Sequence, residues 1–234
     1  AHVHFAFIEE LAPRMPDLFL AYGITSVRDT GGEIEFVKSY KDQSLNNPTE
    51  TPRVMIAGPL LDGMPNVYDG SDPFHPPLSV GLASVEEVER QVNYLDSLGV
   101  DFLKAYEMLT PEQFKTVTRM AREKGLMVDG HVPLSMDVIS AAEAGLNSME
   151  HFRNLEMSMT ANWEELLAER RDLLEQGKSK KGSQLRSSLH QAQREQAVNN
   201  TDSETMQAVL KVLADHNVRQ TPTLALMQGF AYHK

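Results

Sequence analysis

One repeating pattern between residues 20 and 150 constrains the fold more than any other feature. An amphipathic helix is followed by a Gly, an aliphatic residue and a short β-rich run that ends in polar residues. Four copies are legible, at residues 23–29, 99–104, 125–131 and 145–151. Gly suits the end of each helix because it adopts the left-handed C-cap conformation without steric penalty. Alternating helices and strands of this kind predict right-handed crossovers and a parallel sheet.

Seven strands are predicted in total. They cover residues 1–5, 24–29, 53–57, 101–106, 127–132, 147–152 and 219–225. Since a complete (β/α)₈ barrel has eight strands, we expect one α/β domain over residues 1–234, a distorted TIM barrel that is incomplete. Residues 156–200 are polar and predict a helical excursion between the sixth and seventh strands. Residues 58–81 are rich in Pro and Gly and predict a long lid or binding loop.

Composition narrows the classes of partner. The chain has 33 Asp plus Glu against 22 Lys plus Arg, a net charge of −11, and no Cys. An acidic field repels phosphate backbones and anionic lipids, so we expect a small-molecule substrate and no nucleic-acid or membrane partner. Without Cys there are no disulfides, zinc–cysteine sites or thiol nucleophiles. With no apolar run of about 18 residues we expect a soluble protein, and the choice between cytoplasm and periplasm of a bacterium-like host stays open.

Ionisable side chains recur where the predicted strands end. His2 and His4 lie on the first strand, Lys104 ends the fourth, His131 the fifth and His151 the sixth. A parallel barrel strand is buried on both faces, so such residues are costly unless they are paired or bound to something. In a barrel all five would converge on the C-terminal mouth. Nitrogen and oxygen ligands without sulfur suit Zn²⁺, Mn²⁺, Fe²⁺, Co²⁺ or Ni²⁺.

These residues resemble the amidohydrolase superfamily of metal-dependent hydrolases, specifically its imidazolonepropionase-like and Xaa-Pro-dipeptidase-like branch. The resemblance covers most of the chain. It rests on Ala1-His2-Val3-His4 as the tail of an Asp-x-His-x-His motif, on Gly23-Ile24-Thr25-Ser26-Val27-Arg28-Asp29-Thr30-Gly31-Gly32, on Phe102-Leu103-Lys104, and on His131 and Met149-Glu150-His151.

The resemblance implies one or two divalent ions per chain, Zn²⁺ first among them, and a binuclear centre where two ions are bound. His2 and His4 would hold the more buried metal, His131 and His151 the second, and Lys104, carboxylated by CO₂, would bridge them. A metal-bound hydroxide would then cleave an amide or peptide-like C–N bond in an N-acyl amino acid, a dipeptide or a cyclic amide. Tyr106, two residues beyond Lys104, is a candidate hydrogen-bond donor to the substrate carbonyl, with a packing role as its alternative.

The family also uses a general-base Asp at the end of the eighth strand, and this Asp is absent from this chain. We therefore expect the chain to be part of a longer protein and to be weak or inert by itself. Three alternatives stay open: a mononuclear deaminase-like relative with unmodified Lys104, a Schiff-base enzyme that uses Lys104, and a non-catalytic scaffold or oligomerisation module. In the last, residues 156–200 would dock a partner.

Several further residues carry weaker signals. An apolar stripe in the helical excursion favours a homo-oligomer. We expect an ion pair between Arg28 and Asp29, an exposed His75, and structural roles for Thr221 and Thr223. His190, His216 and His233 are expected at the surface. The stripe consists of Trp163, Leu166, Leu167, Leu173 and Leu174.

Overall fold

The structure, a computed structural model, describes residues 1–232, so His233 lies outside the described residues. Over these residues the chain forms nine strands, ten α-helices and two short 3₁₀ helices, Phe5–Phe7 and Ala12–Arg14. The strands are β1 (His2–Val3), β2 (Ser26–Asp29), β3 (Arg53–Ile56), β4 (Leu60–Gly63), β5 (Ser79–Leu82), β6 (Phe102–Ala105), β7 (Met127–Gly130), β8 (Ser148–Glu150) and β9 (Arg219–Thr221). The helices are α1 (Met15–Ala21), α2 (Ile34–Asn46), α3 (Val85–Ser97), α4 (Pro111–Lys124), α5 (Val138–Ala144), α6 (Leu155–Ser158), α7 (Trp163–Gln176), α8 (Gly182–Asn199), α9 (Ser203–Asp215) and α10 (Leu224–Tyr232).

Local sequence signals set the helix ends. The side chains of Ser84, Thr110 and Asp202 each accept a hydrogen bond from the backbone three residues on, which caps α3, α4 and α9. Such caps satisfy backbone N–H groups that have no partner inside the helix. Gly125 and Gly145 end α4 and α5 with φ values of 71° and 114°. The predicted helix–Gly–strand unit is therefore present in the structure.

All strand pairings are parallel. One sheet has the order β1-β2-β3 and the other β5-β4-β6-β7-β8-β9. The two sheets meet at β3 and β6, where the Asp101 N–H donates to the Ile56 carbonyl at 2.9 Å. The result is a TIM-barrel-like α/β fold with α-helices packed outside the strands. Within residues 1–232, β1 and β9 are not paired with each other.

The prediction of a long loop over residues 58–81 was wrong in part. The segment contains β4 and the start of β5, which pair with each other in parallel register from Leu60–Ser79 to Gly63–Leu82. The buried Asp62 ties the segment to its surroundings by accepting hydrogen bonds from the backbone of Val67 and Met108. Pro and Gly signal turns but do not exclude short strands between them, which is why residues 60–63 were missed.

Helices α6, α7 and α8 lie between β8 and β9, but the apolar stripe of α7 does not form a free surface. Leu166 and Leu167 are buried beside Met157. Leu173 and Leu174 pack against a second core cluster that includes Leu185 of α8. The stripe thus packs within the chain, and the homo-oligomer stays a prediction without this support. In the described part of the chain, none of the helices has the length and apolar character needed to cross a membrane.

Candidate metal centre

The parallel strands bring His2, His4, Lys104, His131 and His151 to one cavity of about 770 Å³ at their carboxyl ends. The four imidazoles follow one another as neighbours. Ring centroids are 5.0 Å apart from His4 to His2, 4.8 Å from His2 to His151 and 5.1 Å from His151 to His131. Tyr106 lines the same cavity, with its ring 4.5 Å from that of His131.

Each imidazole is held through its Nδ1 atom by a different partner. Nδ1–H of His2 donates to Glu150 at 2.6 Å, that of His4 to the Gly31 carbonyl at 3.1 Å, and that of His131 to Glu107 at 2.6 Å. Nδ1–H of His151 donates to the Thr223 hydroxyl at 2.6 Å, whose own proton goes to the Pro222 carbonyl. Because carboxylates and carbonyls only accept, Nδ1 carries the proton and Nε2 keeps its lone pair. This outer arrangement is typical of imidazoles that bind metals.

Burial keeps these imidazoles neutral. It lowers the pKa of both His4 and His151 to about 3, and it lowers the pKa of His131 well below the ordinary value. Burial also lowers the pKa of His2, against the opposing effect of its hydrogen bond to Glu150. Neutral imidazole is the form that ligates a metal ion.

Lys104 stands among these imidazoles with a free amine. It is almost completely buried, and its Nζ atom makes no hydrogen bond in the structure. Burial lowers the pKa of Lys104 to about 8, despite the nearby carboxylates of Glu150 and Asp129. A buried amine without a partner is energetically costly, and its lowered pKa makes the neutral, nucleophilic form accessible near neutral pH.

The backbone has two unusual features next to these side chains. His151 and Phe152 have φ values of 59° and 54°, which cost of order 1–3 kcal/mol each for non-Gly residues and are concentrated at functional sites. A Cβ atom on Gly31 would lie 3.1 Å from Cε1 of His4 and 2.9 Å from Leu60. A larger residue at this position of the loop after β2 would therefore require the Leu60 side chain and the His4 ring to shift.

The prediction of an ion pair between Arg28 and Asp29 was wrong. Successive strand residues point to opposite faces, so Arg28 points into the barrel and Asp29 away from it. Arg28 pairs instead with Asp129 and, at 3.1 Å, with Glu150. Asp29 accepts hydrogen bonds from backbone N–H groups, including that of Phe5 at 2.7 Å.

Two buried carboxylates of the site, Glu107 and Glu150, had not been assigned a role from the sequence. Although burial opposes ionisation, Arg186 and His131 hold the pKa of Glu107 well below its usual range. Both Arg186 and His190 approach Glu107 from α8, with His190 Nε2 at 3.5 Å. His190 is thus partly buried and not at the surface as expected, whereas His216 is exposed. A Glu among apolar residues gives no local sequence signal of which His it will contact.

The remaining predicted residues lie near the cavity or outside it. Thr221 accepts a hydrogen bond from Arg28 at 3.1 Å, and Thr223 holds His151. His75 is partly buried, bonded to Asp72 and not part of the cavity lining.

The donor set fits a divalent metal. Nε2 of His2 and Nε2 of His4 lie only 3.2 Å apart, and the single hydroxyl of Thr30 contacts both. Two lone pairs at this separation repel unless a cation or a shared proton lies between them. Among residues 1–232, no three His, Asp or Glu side chains are already arranged as a metal site, so the fit rests on the chemistry and protonation of the donor atoms.

The hydrogen-bond partners of the imidazoles provide a first test of metal binding at this site. We expect Thr223→Val to weaken binding of Zn²⁺ about tenfold, at the low end of what loss of an outer hydrogen bond costs a metal site, because His151 loses the acceptor that fixes its ring. Binding would be measured by competition with a chromogenic chelator. Thr116→Val is the matched control, since the Thr116 hydroxyl bonds only its own helix, at Glu112. Equal affinities in the two variants would contradict a ligand role for His151.

Comparisons with known proteins bear on the fold. The chain matches no family model and none of the curated proteins. Among solved structures it is similar to the ochratoxinase of A. niger (TM-score 0.56, 17% identity, 95% of this chain and 61% of that one). It is similar to a prolidase complexed with N-methylphosphonate-L-proline (TM-score 0.55, 16%, 94% and 62%). It is also similar to a Xaa-Pro dipeptidase with bound methionine in the active site (TM-score 0.54, 17%, 94% and 63%).

The chain thus spans about three fifths of the length of these proteins. At such identities the likeness concerns the fold. This chain shares the fold of solved structures that are named as a prolidase, a Xaa-Pro dipeptidase and an ochratoxinase, and this agrees with the fold that the sequence resemblance implied.

Proposed function

We propose that this chain carries the divalent-metal site of a hydrolase that cleaves an amide or peptide-like C–N bond. The observation that carries the proposal is the set of four neutral imidazoles, each fixed through Nδ1, around the buried, unpartnered amine of Lys104. Two of the solved structures with this fold are named as a prolidase and a Xaa-Pro dipeptidase, which supports a peptide-like bond as the target.

His2, His4, His131 and His151 would hold the metal, and Lys104, as the amine or as its carbamate, would complete the ligand set. A divalent cation bound there would supply Lewis-acid activation of the scissile carbonyl and of water. Zn²⁺ is the first ion to test, because imidazole nitrogen is one of its usual ligands. The outer partners Glu107, Glu150, Gly31 and Thr223 keep each imidazole in one tautomer and one orientation.

Tyr106 can orient the substrate. Burial raises the pKa of its hydroxyl well above the ordinary value, so the hydroxyl stays protonated. Among the described residues it makes no hydrogen bond with another side chain and lines the cavity. It is therefore available to donate to the substrate carbonyl, which helps only if it also donates as negative charge grows on that oxygen.

The test is metal loading followed by turnover. The full chain, purified without chelator and dialysed after incubation with Zn²⁺ or Mn²⁺, is expected to retain about one or two ions in its site. Plasma mass spectrometry measures the metal content. His216→Ala, which removes an exposed His, is the control for metal held at the surface and should retain the same content. A panel of N-acyl amino acids, dipeptides and cyclic amides then tests hydrolysis. A chain that binds no metal under any of these conditions would refute the proposal.

A further inference from the structure

The cavity is lined by basic side chains and by no acidic ones, although the chain as a whole has a net charge of −11. Its walls include the side chains of Lys104, Arg153 and Arg186, and among the described residues that line it none is Asp or Glu. The carboxylates of Glu107 and Glu150 lie behind this wall, where they pair with Arg186 and His2. The groups that a ligand meets in the cavity are therefore hydrogen-bond donors, which suit an anion.

Arg186 is the cation that the structure fixes most firmly. Its Nε–H donates to Glu107 at 3.0 Å, and its guanidinium carbon lies 5.9 Å from the centroid of the Tyr106 ring. Within residues 1–232 neither of its Nη atoms takes part in a hydrogen bond. With Nε anchored, the two Nη atoms remain as a planar fork, the geometry that binds a carboxylate in two parallel hydrogen bonds.

Apolar side chains line the same cavity as Arg186. Leu60 and Leu78 belong to a buried cluster with Leu185 and Leu189 of α8, and the partly buried Tyr68 packs against this cluster. The Arg186 side chain is itself only 13% exposed, so an ion pair formed with it is poorly screened by water and gains strength accordingly. The same wall offers an apolar contact for the side chain of a bound amino acid.

Arg153 is a weaker candidate for the same task. It also lines the cavity, and its Nε atom is buried without a hydrogen-bond partner. No carboxylate among the described residues fixes its guanidinium plane as Glu107 fixes that of Arg186. An unfixed Arg loses more side-chain entropy when it binds a ligand.

We infer that Arg186 binds the free carboxylate of the substrate. The preferred substrates of the hydrolase are then N-acyl amino acids or dipeptides with a free C-terminal carboxylate and an apolar side chain, rather than cyclic or uncharged amides. The reaction named in this inference rests on the proposed function. The class of ligand rests on the cavity alone.

The test compares N-acetyl-L-leucine with N-acetyl-L-leucinamide, which differ in the charge of one group. Calorimetry on the full chain loaded with Zn²⁺ is expected to show the acid binding about 10- to 100-fold more tightly, the range for hydrogen bonds to a charged group. Arg186→Met should abolish this preference, because binding of the acid should weaken about 10- to 100-fold and binding of the amide by much less. Arg194→Met, at an exposed Arg on the same helix, is the control and should retain the preference.

Three results would overturn the inference. Equal weakening of acid and amide in Arg186→Met would show that Arg186 only supports Glu107 and His131. A preference that survives in Arg186→Met and disappears in Arg153→Met would place the carboxylate on Arg153. The absence of binding of either compound to the wild-type chain would also overturn it.

Turnover separates this inference from the proposed function. Hydrolysis of acid and amide with equal kcat/KM would overturn the inference and leave the hydrolase in place. Binding of the acid through Arg186 by a chain that retains no metal would support the ligand class and count against the hydrolase.

Discussion

His131→Ala and Lys104→Met are expected to lose bound metal while the chain stays folded. Removing an outer partner of a ligand already costs about 10- to 100-fold in metal affinity, so removing a ligand should cost at least about 100-fold. Metal content after dialysis, measured by plasma mass spectrometry, checks this. His216→Ala should retain the wild-type content, because His216 is exposed and outside the cavity.

Lys104→Met gives the sharper result, because metal affinity should fall while the stability of the metal-free chain should not. The Lys104 amine is buried without a partner, so a side chain of similar length without the amine should leave the free energy of unfolding of the metal-free chain unchanged or raise it. Urea unfolding measures this quantity. A metal-free Lys104→Met chain that is destabilised and still binds metal normally would make Lys104 a structural residue.

The same variant separates the three possible roles of Lys104 in an enzyme. If Lys104 is carboxylated, metal binding by the wild-type chain should increase with added bicarbonate, and Lys104→Met should not respond. Binding that is independent of bicarbonate in both chains would favour a mononuclear site with unmodified Lys104. Trapping of a carbonyl compound on Lys104 by borohydride would instead support Schiff-base chemistry.

Arg28→Met is expected to produce a large loss of stability, about 3–5 kcal/mol in the free energy of unfolding. Arg28 is the cation that pairs with the buried carboxylates Asp129 and Glu150. Breaking a buried pair leaves the remaining charge without compensation, which is more costly than the pair itself is favourable. Urea unfolding followed by circular dichroism measures the change.

Arg119→Met is the matched control for this effect. Arg119 also pairs with two carboxylates, those of Glu89 and Glu123, but on an exposed helix face. Exposed ion pairs contribute about 0–1 kcal/mol, so this variant should be close to wild type. Equal losses in the two variants would show that burial does not govern the Arg28 network. Adding Asp129→Asn to Arg28→Met should recover part of the loss, since it removes one of the unpaired charges.

The fold and the inner part of the site were largely predictable because their signals are local. A capping residue at the start of the helix, a Gly at its C-cap and a short β-rich run after it mark the helix–strand units by local sequence alone. Parallel pairing then brings the carboxyl ends of the strands together. The convergence of His2, His131 and His151 on one cavity could therefore be predicted without knowing how the helices pack. For the same reason the positions of seven strands could be read from the sequence.

The outer part of the site depends on contacts between distant segments. Arg186 lies 79 residues beyond Glu107 in the chain, and polar residues on a helix such as α8 look like a solvated face until the helix is packed. The apolar stripe of α7 likewise gives no indication of whether a second chain or the same chain will cover it.

The order of helices and strands and the residues that end them therefore follow from the sequence alone, because hydrophobic periodicity and capping act over a few residues. Which carboxylate holds which imidazole, that α7 packs inward and that Arg186 reaches the cavity follow only from the packed structure. These choices depend on burial and charge pairing between segments far apart in the chain, and such energies exist only once the segments are packed together.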